Sequence, residues 1–278
     1  MRRADIFLRS QGRGRAMKVM HGRWQTTVPW GLLVVLAFAF PAGCNNSHSG
    51  KAASSTVTPR PTSTPPPTKT PTATPNVLDI AVCNPANGPF SLTIDNPYFP
   101  LVVGQVSVFD GIEDGAQVHL EITVLDETEV VADVTTRVVE ERQAEDGELV
   151  ELARNFFVQA PDGTVCYYGE DVDEYDNGRL IGHDSQWRAG VGGNLPGIIM
   201  PAHPTVGVEY DQEFAPGVAL DHAKVIATGQ PLTVPAGMFT DTIITEETTP
   251  LEPGVVEHKT YAPGVGTAVD NTLKLTSY

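Results

Sequence analysis

Gln117-Val118-His119-Leu120-Glu121-Ile122-Thr123-Val124-Leu125 sets the fold class of this 278-residue chain. Val118, Leu120, Ile122 and Val124 fall on one face, and His119, Glu121 and Thr123 on the other. Apolar residues repeating every second position mark a half-buried β-strand, whereas a helix would need a spacing near 3.6. The same alternation or β-branched enrichment recurs over 134–139, 148–160, 164–168, 209–214, 224–228, 239–246, 255–261 and 267–275. Turn residues punctuate these runs: Asp114-Gly115, Asp146-Gly147, Asp162-Gly163, Asn177-Gly178, Ala236-Gly237 and Pro253-Gly254. Asp-Gly and Asn-Gly pairs suit tight hairpins because both residues tolerate positive φ. No window carries a long i, i+3, i+4, i+7 apolar stripe. The expectation is an all-β domain, an antiparallel meander that closes as an up-and-down barrel or packs as a strongly curved sheet.

Composition divides the chain around this domain. Residues 1–43 hold seven Lys+Arg and one acid, Asp5. Gly31 to Phe40 is an apolar run of ten, followed by Ala42-Gly43-Cys44. Spanning a bilayer takes about 20 apolar residues, so the run is too short for a membrane helix. A basic stretch, a short apolar core and small residues before a cut describe a secretory signal peptide over 1–43. Its end resembles the lipobox of bacterial lipoproteins. That resemblance implies cleavage before Cys44 and acylation of Cys44, with the lipid bilayer as its partner. Residues 44–76 are rich in Ser, Thr and Pro, with seven prolines between Pro59 and Pro75. Such a stretch cannot bury enough surface to offset chain entropy, so a disordered linker is expected there. The implied location is the bacterial cell envelope, lipid-anchored and facing the periplasm or the exterior.

The folded domain is assigned to 77–278. It holds eight Lys+Arg (18 in the chain, less ten before residue 77) against 33 Asp+Glu (34 less Asp5). Nucleic-acid binding needs clustered cations to displace counterions from phosphates, and this composition argues against it. With Cys44 assigned to lipid, Cys83 and Cys166 remain. Export places them in an oxidising compartment, where a disulfide between them is expected over two buried thiols.

Three constellations invite chemistry. Glu170-Asp171-Val172-Asp173-Glu174-Tyr175-Asp176-Asn177-Gly178 is the richest acidic stretch, and Asp171, Asp173 and Asp176 offer oxygen ligands for a hard cation such as Ca²⁺. Its spacing fails the EF-hand template, and a solvated hairpin is the preferred reading, with weak Ca²⁺ binding the alternative and no other cofactor expected. His183-Asp184, Asp221-His222 and Glu257-His258 are adjacent in sequence, but neighbours on a strand point to opposite faces and cannot act as base and orienter. A hydrolase or metal-dependent site would therefore need strands to bring His203, His258 and acidic partners together. Finally, residues 189–204 carry no charge, four glycines and three prolines. Leu195, Ile198, Ile199 and Met200, with Trp187 just before them, either plug the domain as core or cover a cavity for an apolar small molecule. The plug is the preferred reading.

Asp95-Asn96-Pro97-Tyr98-Phe99-Pro100-Leu101, Pro196-Gly197-Ile198-Ile199-Met200-Pro201, Val234-Pro235-Ala236-Gly237-Met238-Phe239, the run from Pro250 to Lys259, and Tyr261-Ala262-Pro263-Gly264-Val265-Gly266 together resemble a family of uncharacterised bacterial exported β-rich proteins. The resemblance covers the folded domain and implies no activity or catalytic residue. The functional expectation is a lipid-anchored extracytoplasmic binding or interaction module, with the hydrolase or metal-dependent enzyme as the alternative.

Overall fold

The computed structural model describes residues 76–278, and the signal peptide, Cys44 and nearly all of the linker lie outside them. The described residues form 15 β-strands, with two short 3₁₀ turns at Ile80–Cys83 and Pro85–Asn87 and no α-helix. In chain order the strands are β1 (Asn76–Val77), β2 (Val106–Glu113), β3 (Ala116–Val131), β4 (Val134–Glu145), β5 (Glu148–Gln159), β6 (Val165–Asp176), β7 (Arg179–Gly182), β8 (Trp187–Arg188), β9 (Gly197–Met200), β10 (Val208–Asp211), β11 (His222–Val234), β12 (Gly237–Thr248), β13 (Glu257–Ala262), β14 (Gly266–Asp270) and β15 (Leu273–Ser277).

The hairpins follow their turn residues. Asp114-Gly115, Asp146-Gly147 and Asn177-Gly178 all take positive φ, joining β2–β3, β4–β5 and β6–β7. Ala132-Asp133 makes the β3–β4 turn with the same signs of φ. Nothing in an Ala-Asp pair announces such a turn; the ladders on either side impose it. The run expected over 267–275 divides into β14 and β15, because Asn271 at positive φ turns the chain.

All strands belong to one sheet, in the order β1-β10-β11-β12-β13-β14-β15-β2-β3-β4-β5-β6-β7, with β8 and β9 pairing with β6. The C-terminal strand β15 pairs with β2, so the last hairpins dock beside the first. The expected closure into a barrel does not occur, and the sheet is mixed rather than wholly antiparallel. β1 pairs parallel to β10, at Asn76↔Val208 and Val77↔Glu209. That pairing occupies the β10 edge that β9 would need. The two ends meet at a Leu195–Phe214 bridge and where Gly197 lies against the Gln212 backbone. A Cβ on Gly197 would stand 2.1 Å from the Gln212 carbonyl oxygen, so only glycine fits this seam.

The sheet curls enough for Phe157 and Tyr167 of β5–β6 to share one core with Val225 and Ile243 of β11–β12. A second core, around Phe109, Leu120, Val265 and Leu275, lies between β2–β3 and β13–β15. Cys83 and Cys166 form a disulfide, with Cα atoms 5.6 Å apart. Beside it, the Tyr168 hydroxyl donates to the Cys83 carbonyl at 2.7 Å. These contacts hold the 80–90 segment against β6.

Candidate functional site

Ile198, Ile199 and Met200 form β9 and are buried in the main core, as is Trp187. Leu195 is exposed. These residues are therefore wall and seam of the domain, and an apolar cleft among the described residues lies elsewhere. Its floor is built by β2–β5, from Ser107, Phe109, Ile122, Val124, Val139, Glu141 and Phe157. Phe99, Pro100, Leu101 and Gln105 roof it, and Val265, Gly266 and Thr267 close one side. The space is about 70 Å³, roughly half of a cavity that holds benzene. Glu141 is the only charged residue of the lining.

The roof is held by buried polar contacts. Asn96 is 3% exposed; its side-chain N–H groups donate to the carbonyls of Gly163 and Pro201, both at 3.0 Å. Its Oδ1 accepts the Tyr98 amide at 3.0 Å. The Gln159 side-chain oxygen accepts the amides of Asp95 and Asn96, and the Gly264 amide donates to the Pro97 carbonyl at 2.7 Å. The 95–101 and 261–266 stretches, far apart in sequence, therefore meet at the cleft.

Behind the cleft lies a buried polar row. Val139, Asn155, Glu170 and Trp187 are successive register partners across β4, β5, β6 and β8. Directly paired residues share a sheet face, so the cleft residue Val139 continues into the three polar side chains. Asn155, Glu170 and Trp187 are each 3% exposed or less. The Tyr167 hydroxyl donates to Asn155 Oδ1 at 2.6 Å. Its ring stacks on Phe157, a cleft residue, with centroids 4.8 Å apart, and meets the Trp187 ring edge-on at 5.3 Å. Burial, and then the carboxylates of Glu170, Glu213 and Glu141, push the Tyr167 hydroxyl well above its ordinary pKa.

A second buried polar group lies across the interior. Lys259 Nζ is 3.4 Å from Glu247 and 3.7 Å from Asp270. Glu247 also accepts from Thr245 at 3.0 Å, Gln212 at 3.3 Å and Tyr261 at 3.5 Å. Burial lowers the Lys259 pKa, but Asp270 and Glu247 more than reverse that effect, so the ammonium stays charged.

Four histidines face carboxylates across strands, and none faces its sequence neighbour. His119 Nδ1 is 2.8 Å from Asp110, and His222 Nδ1 is 2.9 Å from Asp211. His183 Nδ1 is 3.0 Å from Asp173, and His258 lies 3.9 Å from Glu246. All four pairs are at the surface. His203 is exposed after β9, His258 is exposed on β13, and neither lines the cleft. Of the acidic trio, Asp171 is held by Arg188, whose Nε donates to it at 2.8 Å. Asp173 faces His183, and Asp176 accepts from the Asn177 side chain in the turn. The three carboxylates have separate partners, and no group of three metal-ligating side chains is present among the described residues.

Glu141, Glu170 and Glu213 escape sequence reasoning because carboxylates read as solvated strand faces. Asn155 and Glu151, set among the apolar residues of the 148–160 run, are the one signal that polar groups turn inward there. No family model, curated protein or solved structure matches the chain.

Proposed function

We propose that residues 77–278 form a binding module that takes a small apolar molecule, or the apolar end of a larger one, in the Phe99–Val265 cleft. Lipid on Cys44 tethers the module to a membrane of the cell envelope, facing the periplasm or exterior, and residues 45–76 give it reach. The observation that carries this reading is the cleft: an open recess with an aliphatic and aromatic wall, over which a polar-anchored loop is held. Burying a short alkyl chain there is favourable by about 0.8 kcal/mol per methylene. The motif stretches 95–101 and 261–266, which underlie the resemblance to exported bacterial proteins, both contribute lining residues.

The test is NMR titration of the full chain with 1-hexanol. Saturable shifts confined to Phe99, Leu101, Ile122 and Val265 are expected, and Ser107→Phe, which fills the recess, should abolish them. Absence of saturable binding, or binding unaffected by Ser107→Phe, would remove the reading. For the anchor, the expected result is that Cys44→Ala moves the protein from the membrane to the soluble fraction.

A further inference from the structure

β7 ends the sheet, and its outer edge has no strand partner among the described residues. Such an edge offers a row of backbone N–H and C=O groups to another chain, and natural sheets guard it with charge, proline or a covering segment. β7 reads Arg179-Leu180-Ile181-Gly182. Leu180 and Ile181 are 50% and 51% exposed, so the middle of this edge is apolar in a domain otherwise rich in acids.

A bare edge names no partner, but the charges beside it do. Arg179 is the register partner of Asp176, and Gly182 of Glu174. Asp176 and Glu174 are two apart on β6, so they share a face with both partners. β7 holds one extra residue between these pairs, which is why Arg179 and Gly182, three apart, fall on the same side. Two carboxylates border the space over Gly182. A Cβ there would stand 3.1 Å from Glu174 Oε2 and 3.8 Å from Asp184 Oδ2. The other Glu174 oxygen accepts from the Ser185 hydroxyl at 2.9 Å. Arg179 and Asp184 are both exposed, and neither makes a side-chain hydrogen bond or ion pair among the described residues.

This edge is complementary to itself. Let β7 run antiparallel to β7 of a second copy, about a two-fold axis midway between Leu180 and Ile181. Leu180 then stands opposite Ile181 of the second copy, and Arg179 opposite its Gly182. Directly opposed residues share a face, so the guanidinium enters the space that glycine leaves open, against Asp184 and Glu174. The axis repeats the contact at the other end. We propose that the chain forms a two-fold dimer through β7, joining two sheets into one, with Arg179 of each copy paired to Asp184 of the other. No residue of β7 lines the cleft, so this inference stands apart from the binding-module reading.

Sedimentation equilibrium of the full chain in density-matched detergent reads the protein mass directly. A dimer is expected for the unaltered chain. Arg179→Glu and Asp184→Arg should each raise its dissociation constant about tenfold, because like charges then meet at both ends of the interface. The double variant Arg179→Glu, Asp184→Arg should recover most of that loss. Both side chains are exposed and unpartnered within the chain, so neither substitution removes a contact that holds the fold. A monomer at every concentration, or an assembly larger than two, overturns the proposal. So does a dimer that survives both single substitutions, or one that the double variant fails to restore.

Discussion

Tyr167 and Glu170 are three residues apart on β6 yet stand on the same face of the sheet. Alternation alone would place them on opposite faces. Their register partners on β5, Phe157 and Asn155, are only two residues apart, so β6 holds one extra residue at Tyr168-Gly169. This β-bulge brings Glu170 beside Tyr167 and re-aims the strand. Gly169 makes it possible, at φ +124° and with its Cα against the Trp187 backbone.

Gly169→Ala therefore tests the bulge. A Cβ there would lie 2.4 Å from the Trp187 carbonyl oxygen and 2.8 Å from the Arg188 Cα. Both are backbone atoms that cannot rotate away. The expected loss is about 1–3 kcal/mol of unfolding free energy in urea, with β8 detached from β6. Retained stability and an unchanged Trp187 environment would argue that the bulge can relax without glycine.

Removing the disulfide should destabilise the domain without changing its fold. The bridged cysteines are 83 residues apart, and the loop-closure argument puts the loss in the double Cys83→Ala, Cys166→Ala variant at about 4–5 kcal/mol. Thermal unfolding with and without reductant measures it. No shift in the native protein on reduction would contradict the prediction.

Lys259 should be indispensable while its acids remain. Lys259→Met strips the ammonium from the buried Glu247 and the partly buried Asp270, and stranding a buried charge costs about 3–5 kcal/mol. Adding Glu247→Gln should recover part of that loss, which a double-mutant cycle reads directly. Because the folded-state pKa of Lys259 lies above its ordinary 10.5, the stabilisation is complete below that value. It fades as pH rises through the folded-state pKa.

The surface pair His119–Asp110 makes a smaller pH-dependent contribution. The hydrogen bond to Asp110 raises the His119 pKa above 6.5, outweighing partial burial, with Glu121 adding to the effect. A raised folded pKa means the pair stabilises below about pH 6.5 and loses that contribution as pH climbs through the folded value. Both side chains are about half exposed, so screening keeps the effect under about 1 kcal/mol. NMR titration of His119 should show the raised value, and Asp110→Asn should return it toward 6.5. An unchanged titration in the variant would place the cause elsewhere.

Local chemistry accounts for what could be read before the structure. The alternation in 117–125 predicts β3, and it does so because side-chain direction along a strand depends only on position parity. Asp114-Gly115, Asp146-Gly147 and Asn177-Gly178 mark three hairpins, because their tolerance of positive φ is a property of the residues themselves. The apolar character of 198–200 likewise reads as core. The Ala132-Asp133 turn, by contrast, carries no local signal and follows from the pairing of its flanking strands.

The amino-acid sequence by itself determined most of the long strands, several of their turns and the sign of the domain's charge, all of which are short-range properties, while β2 and the short β1, β7, β8 and β9 were not marked by it. Tertiary structure alone decided that β15 pairs with β2, that β1 pairs parallel with β10 in a sheet that does not close, and that each partnered histidine faces a carboxylate from another strand. It also decided that Glu170 and Glu213 are buried rather than turned to water. Those outcomes depend on long-range register, and one inserted residue such as the β6 bulge reverses every inward and outward assignment beyond it.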